Sequence, residues 1–253
     1  MTRAGCIRTF VAIGLTLGLA ACGGGPTDGV ALPDGMVGYP VPTDPTVTFE
    51  VWFQVGSQND PPGKEGLAYL TAEMISEGAT KQRTLDEILE ALYPMAAGYG
   101  VTVDREMTVL SGRTHKDNLD AYFELYTQAL LEPRFSQEDF DRVRTDALNY
   151  LEKQLRYASD EELGKAALFE FVYEGTPYAH PSVGTVEGLK AISLDDVRAF
   201  YARWYGKGNA VAAVGGGYDS ALANAFQDAL AGLPDGDRRL RRPSRPPRSK
   251  AAK

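Results

Sequence analysis

The chain has 253 residues, 43% hydrophobic, 24% charged and 10% aromatic, an ordinary globular composition that excludes a disordered chain, a collagen and a coiled-coil rod. Its formal charge of −8 averages unlike parts: Arg238 to Lys253 holds eight basic residues and no acid, the first 21 residues add only Arg3 and Arg8, and the body between carries 16 Lys+Arg against all 34 Asp+Glu, a net of −18. A body that acidic repels phosphate backbones, which excludes nucleic acid as a partner of the fold.

The N-terminus reads as a secretory signal. Arg3 and Arg8 precede a short apolar run from Phe10 to Ala21, followed by Cys22, Gly23, Gly24 and Gly25; basic, apolar and small-residue regions in that order mark such a signal. The run is too short to span a membrane comfortably. Leu19-Ala20-Ala21-Cys22 resembles a bacterial lipobox. That resemblance implies removal of residues 1–21, lipidation of Cys22 and a membrane attachment through the lipid. Gly rather than Asp after Cys22 implies the outer membrane, with the body facing the periplasm. The second cysteine, Cys6, leaves with the signal, so the mature chain has no thiol for a disulfide, a zinc site or a nucleophile. Residues 22–31 form a tether, and the Gly, Pro and Asp content up to Pro45 reads at first as its continuation.

From Val47 to Val55 apolar and polar residues alternate, the period of a half-buried strand. Gly56 to Gly63 is a loop by composition. Leu67, Leu70, Met74 and Ile75 recur at helical spacing and stop at Gly78; Leu85, Ile88, Leu89 and Leu92 mark a second helix. Val101 and Val103, then Met107 and Val109, flank Asp104-Arg105-Glu106 as a hairpin. Helices follow over Asp117 to Leu131, from Ser136 to about Leu155, from Ser159 to Tyr173, from Ser193 to about Tyr205, and from about Ser220 to Leu233. The three middle ones open on Ser-x-x-Asp/Glu, the pattern of a capping box. Ala210 to Val214 is a short strand ending at Gly215-Gly216-Gly217. Strict strand–helix alternation is missing, so the fold class is α+β: a mixed or antiparallel sheet with helices packed on one face.

Val55-Gly56-Ser57 through Gly66-Leu67-Ala68-Tyr69 to Gly78-Ala79-Thr80 resembles the signature of the insulinase/pitrilysin-type metallopeptidases, which include the mitochondrial processing peptidases. The family pattern is a strand ending in Gly-Ser, an acidic turn, Gly-Leu-Ala-His-x-x-Glu-His, and Gly-Thr after the helix. Pro133-Arg134-Phe135, Pro177 to Pro181, Gly184-Thr185 and Val214-Gly215-Gly216 match later family landmarks in order, and Leu32-Pro33-Asp34-Gly35 matches the opening strand. The resemblance therefore covers residues 32–234 and moves the first strand into the apparent tether.

The resemblance implies a zinc peptidase fold, and the departures from it lie at the zinc. Active members use two His one helical turn apart, a Glu base beside the second, and a carboxylate from a later helix. Here the first His position is Tyr69, the base position Ala72, the second His position Glu73 and the third-ligand position about Asn149. Tyr ligates poorly at neutral pH, Ala takes no proton, and a single carboxylate does not hold catalytic zinc. Glu152, one turn beyond Asn149, is the alternative third ligand. His115 and His180, the two histidines, read as a surface-turn and a structural residue. No metal is expected, and no catalytic residue is assigned.

Other features read plainly. The triple glycine lacks the partners of a phosphate loop. Tyr93, Tyr99, Tyr122, Phe123 and Tyr126 read as core and rim, and the acids from Asp160 as a helix start. The basic, Pro-rich residues 235–253 cannot pack and read as an interdomain linker at which a longer chain is cut, since related proteins carry a second, similar domain beyond this point. The resemblance implies pairing of inactive with active subunits around a peptide chamber. The reading that follows is a noncatalytic, lipid-anchored subunit at the cell envelope, binding peptide beside a catalytic partner with an intact zinc motif. The alternatives are an active metalloendopeptidase with a remodelled site and a scaffold with no protease partner.

Overall fold

A computed structural model describes residues 30–155, 157 and 160–237. The signal, Cys22, most of the tether, the Ser159 cap and the tail beyond Asp237 lie outside the described residues. Five strands form one sheet in the order β1-β5-β2-β4-β3, with β1 Val37–Pro40, β2 Thr46–Phe53, β3 Gly98–Val103, β4 Thr108–His115 and β5 Ala210–Gly216. Among the described residues only β1 and β5 run parallel; the other three pairings are antiparallel. The helices are α1 Leu67–Ser76, α2 Leu85–Leu92, α3 Leu119–Leu131, α4 Gln137–Asn149, α5 Asp160–Val172, α6 Val186–Ala191, α7 Leu194–Trp204 and α8 Ser220–Leu230. The fold is α+β with a mixed sheet, as the element order predicts. No helix among the described residues is long and apolar enough to cross a membrane.

The period-two pattern of β2 decides the layering. Val47, Phe49, Val51 and Phe53 are at most 1% exposed, whereas Trp52 on the opposite face is 41% exposed. Helices cover the first face. Phe49 is the centre of that layer: the rings of Tyr122, Phe123 and Tyr126 from α3 and Phe226 from α8 lie 5.2–6.2 Å from it. Each such aromatic pair contributes roughly 1 kcal/mol beyond its buried area. The two α3 phenols are satisfied: Tyr122 donates to the Gly98 carbonyl at 2.8 Å and Tyr126 to the Leu110 carbonyl at 2.9 Å. Of the aromatic set read as core and rim, Tyr122 and Tyr126 are core, Tyr99 and Phe123 pack partly buried against it, and Tyr93 is rim, 87% exposed.

Four local readings change. The Gly/Pro-rich segment before Pro45 contains β1, as the resemblance at Leu32 to Gly35 implies and composition hides. A strand at the sheet edge tolerates Pro40 because its missing N–H faces no partner strand. The helix opened by Ser136 does not continue as an α-helix to Leu155. After Asn149 it widens into a π turn, Tyr150–Leu155. Helix α6 has six residues, too few to show a period, and is opened by Thr185, whose hydroxyl accepts from the Gly188 N–H. Strand β5 runs on through Gly215 and Gly216 instead of stopping at Val214. Gly216 takes a left-handed φ of +94° where the chain crosses β2.

Candidate functional site

Helix α1 carries the motif, and its first turn is fixed by groups distant in sequence. Gly66 precedes it with φ +109°, a backbone that side chains rarely adopt. Asp60, from the turn before the helix, accepts from the Gly66 and Ala68 N–H groups, both at 2.7 Å. Two of the unpaired donors at a helix start are thereby satisfied by one carboxylate. The Asp60 side chain is wholly buried, and that burial raises its pKa to about 7 even though the two N–H groups favour the charged form. The His180 Nε2 lies 4.0 Å from Asp60, while its Nδ1 lies 2.9 Å from the Pro181 carbonyl. His180 thus belongs to the anchor of α1, a structural place as the sequence implies.

Along α1 the motif positions face different surroundings. Ala72 is wholly buried in the core. Tyr69 and Glu73, one turn apart on the same face of α1, are both half-buried. Burial raises the Glu73 pKa to about 7; the neighbouring Glu77 raises it further and the Tyr69 hydroxyl lowers it. Burial and the same acids also push the Tyr69 phenol upward, away from the ionised form that would bind a cation. Asn149, at the end of α4, accepts from the Lys153 ammonium at 2.7 Å. Glu152, the alternative third ligand, sits in the π turn and pairs with Lys190 at 3.4 Å. His115 lies far along the chain at the end of β4, where its Nδ1 accepts from the Asp117 N–H at 3.2 Å.

These residues do not suit a zinc ion. The two positions on α1 offer a phenol that stays protonated and a single carboxylate, the base position offers a methyl, and the α4 position offers an amide hydrogen-bonded to a lysine. Among the described residues no group of three or more His, Cys, Asp or Glu gathers as a metal site requires.

A cleft remains beside the motif. A cavity of about 340 Å³ is lined by Tyr69 of α1, Tyr150 and Leu155 of the π turn, Phe169 of α5, Val183 and Arg105. Arg105 is at the tip of the β3–β4 hairpin, and this tip is held in place: the Ser57 and Gln58 N–H groups donate to the Asp104 and Arg105 carbonyls at 3.1 and 3.0 Å. Helix α1 packs against β3, and among the described residues β3 pairs with β4 alone, leaving one backbone edge without a partner strand beside the motif helix. Asp60 and Arg105 were not singled out as site residues by the sequence. An acid in the turn before Gly-Leu-Ala was visible there; the place of Arg105 depends on contacts 73 residues away and was not.

Comparison with known proteins adds the family. The model described as Insulinase (Peptidase family M16) matches residues 39–185. A protein of Helicobacter pylori described as a non-peptidase homolog, YmxG, is 28% identical over 187 residues, covering 73% of this chain and 42% of that protein. An uncharacterized zinc protease of Rickettsia bellii is 22% identical over 183 residues, covering 72% of this chain and 43% of that protein. The crystal structure of a peptidase M16 inactive domain from Pseudomonas fluorescens superposes with a TM-score of 0.73 at 24% identity, over 82% of this chain and 51% of that one. The chain therefore spans less than half the length of these sequence relatives.

Proposed function

The chain belongs to the insulinase family, peptidase family M16, and from that premise we propose that it is a noncatalytic member: it binds extended peptide and serves a catalytic partner with an intact zinc motif. One observation carries the reading. The scaffold that positions the motif helix is complete, with Asp60 accepting at the first turn of α1 and Gly66 seated at its start, while the groups it presents are a phenol at Tyr69, a single carboxylate at Glu73 and a buried methyl at Ala72. The existence of a relative described as a non-peptidase homolog supports such a loss of function within the family.

The peptide half of the proposal rests on the free edge of β3 and the adjoining cavity. An exposed edge offers backbone N–H and C=O groups that an extended peptide pairs with as an added strand. Gly98 and Gly100 leave that edge open to close approach. The partner half is supported by α5, which buries no residue and shows Leu168, Phe171 and Val172 at 60%, 79% and 60% exposure. An apolar helix face of this kind fits a surface that another protein covers. We also propose that Cys22 is lipidated and that the protein acts at the cell envelope, on the strength of the Leu19–Cys22 pattern; loss of labelling by a palmitate analogue in Cys22→Ala tests it.

The test of function is a mixing experiment with a quenched fluorescent peptide. The chain alone leaves the peptide intact, and a homologue bearing an intact His-x-x-Glu-His motif cleaves it faster when this chain is added. An unchanged rate at every mixing ratio contradicts the partner role. Chelator-sensitive cleavage by the chain alone revives the reading of a remodelled active enzyme.

A further inference from the structure

We propose that the cavity under the β3–β4 hairpin is an anchoring subsite for a peptide carboxylate, with Arg105 as the group that holds it. The inference rests on the peptide-binding reading above and assigns that site a preferred chemistry.

Arg105 is fixed from two sides. Its Nε donates to the Tyr178 carbonyl at 3.2 Å, and its guanidinium carbon lies 4.1 Å from the centroid of the Phe169 ring. Stacking on an aromatic face holds the guanidinium plane without using its donors. The two terminal nitrogens accordingly keep their N–H groups for a ligand: among the described residues no carboxylate or carbonyl pairs with them. Six other described arginines, Arg83, Arg113, Arg142, Arg144, Arg198 and Arg203, lie within 4.0 Å of a carboxylate, and Arg105 does not.

The acids on the hairpin tip and the cavity wall are engaged elsewhere, Asp104 accepting from the Arg105 backbone N–H at 2.6 Å. Glu106 accepts from the Tyr178 hydroxyl at 2.8 Å, and Glu162 pairs with Lys165 at 2.8 Å, as does Glu161. Lys165, which also lines the cavity, has its charge matched by those two acids and does not compete for a ligand anion. The other walls are mixed, with Leu155, Phe169 and Val183 giving apolar surface beside the hydroxyls of Tyr69, Tyr150 and Ser182, and about 340 Å³ accommodates one or two side chains. A fixed planar fork above a partly apolar pocket suits a carboxylate, which it binds with two parallel hydrogen bonds, beside an apolar residue. The carboxylate has two possible sources, an Asp or Glu side chain or the C-terminus of the peptide.

The experiment titrates the full chain with three labelled decapeptides of one apolar sequence, followed by fluorescence anisotropy. One has an internal Glu and an amidated C-terminus, one has Gln there and an amidated C-terminus, and one has Gln and a free C-terminus. One or both carboxylate-bearing peptides bind about tenfold more tightly than the neutral one, and which of them does so names the source. Arg105→Gln brings all three to the affinity of the neutral peptide, and Arg105→Lys restores part of the difference. Equal binding of charged and neutral peptides by the unaltered chain overturns the inference whether or not the variant folds, and so does discrimination that survives Arg105→Gln. Binding of no peptide overturns the peptide-binding reading, and this inference with it.

Discussion

Gly184 and Gly66 are stacked backbone on backbone: a Cβ built on Gly184 would lie 2.5 Å from the Gly66 Cα. Both glycines hold left-handed φ angles, +97° and +109°. The loop after Pro181 is thereby pressed onto the first turn of the motif helix. Gly184→Ala adds both backbone strain and overlap with another backbone, and is expected to cost about 3 kcal/mol or more. Gly63→Ala is the control, since Gly63 has φ +79° with nothing within 4 Å of its Cβ position; it is expected to cost about 1 kcal/mol. Urea unfolding of the two variants checks the difference. Equal losses would mean that the stacking contributes nothing.

Asp60 links the acidic turn to α1. Asp60→Ala leaves the Gly66 and Ala68 N–H groups without their acceptor in a buried place, at a cost of about 2 kcal/mol. The melting temperature should fall by roughly 4–8 °C. Asp60→Asn, which keeps one acceptor oxygen, should lose less than Asp60→Ala. A ranking in the opposite order would contradict the capping role.

Two acids with raised pKa, Glu73 and Asp60, make stability fall as pH rises. The pKa values of Glu73 and Asp60 are both raised to about 7 in the folded chain by burial. Between their ordinary values near 4 and pH 7 the native state holds protons that the unfolded chain has released, so stability declines across that window. The acids with lowered pKa, Asp44, Glu87, Asp196 and Asp235, act with the opposite sign below their ordinary values, at still lower pH. Glu73→Gln removes one of the two raised groups. Between pH 4.5 and 7.5 its melting temperature should decline less than that of the unaltered chain, by a few degrees, about 1 kcal/mol. Parallel curves for the two proteins would contradict the environment assigned to Glu73.

The metal geometry can be restored by donors alone. Tyr69→His and Glu73→His place two imidazoles one turn apart on α1, and Asn149→Glu adds a carboxylate from α4, which packs against α1. The triple variant should bind about one zinc per chain. No gain of zinc would show that these positions do not converge. Ala72 is left unchanged because it is wholly buried, and a glutamate there would be forced into the core.

How much of this was legible in the sequence follows from the range of each cause. The alternation of Val47 to Val55 and the Ser136 and Ser193 caps are local chemistry, and they reappear as β2 and as the starts of α4 and α7. Strand β1 was hidden because its Gly38 and Pro40 carry no strand propensity and its pairing partner in β5 lies far along the chain. The π turn after Asn149 leaves the helical pattern of Tyr150 to Leu155 nearly unchanged in composition, so no residue announces it. Within the site, Tyr69, Ala72 and Glu73 were legible because the motif spacing is fixed by one helix. The roles of Asp60 and Arg105 depend on burial and on partners in distant loops, Gly66 with Gly184 and Arg105 with Tyr178, which no local pattern encodes.

The central claim is that the donors on α1 and α4 do not hold zinc. Purified full-length chain, dialysed against excess zinc and then against metal-free buffer, is measured by elemental analysis. The account predicts a residual content far below one ion per chain, the same as that of a Tyr69→Phe/Glu73→Gln variant. One tightly held zinc per chain, lost in that variant, would contradict it.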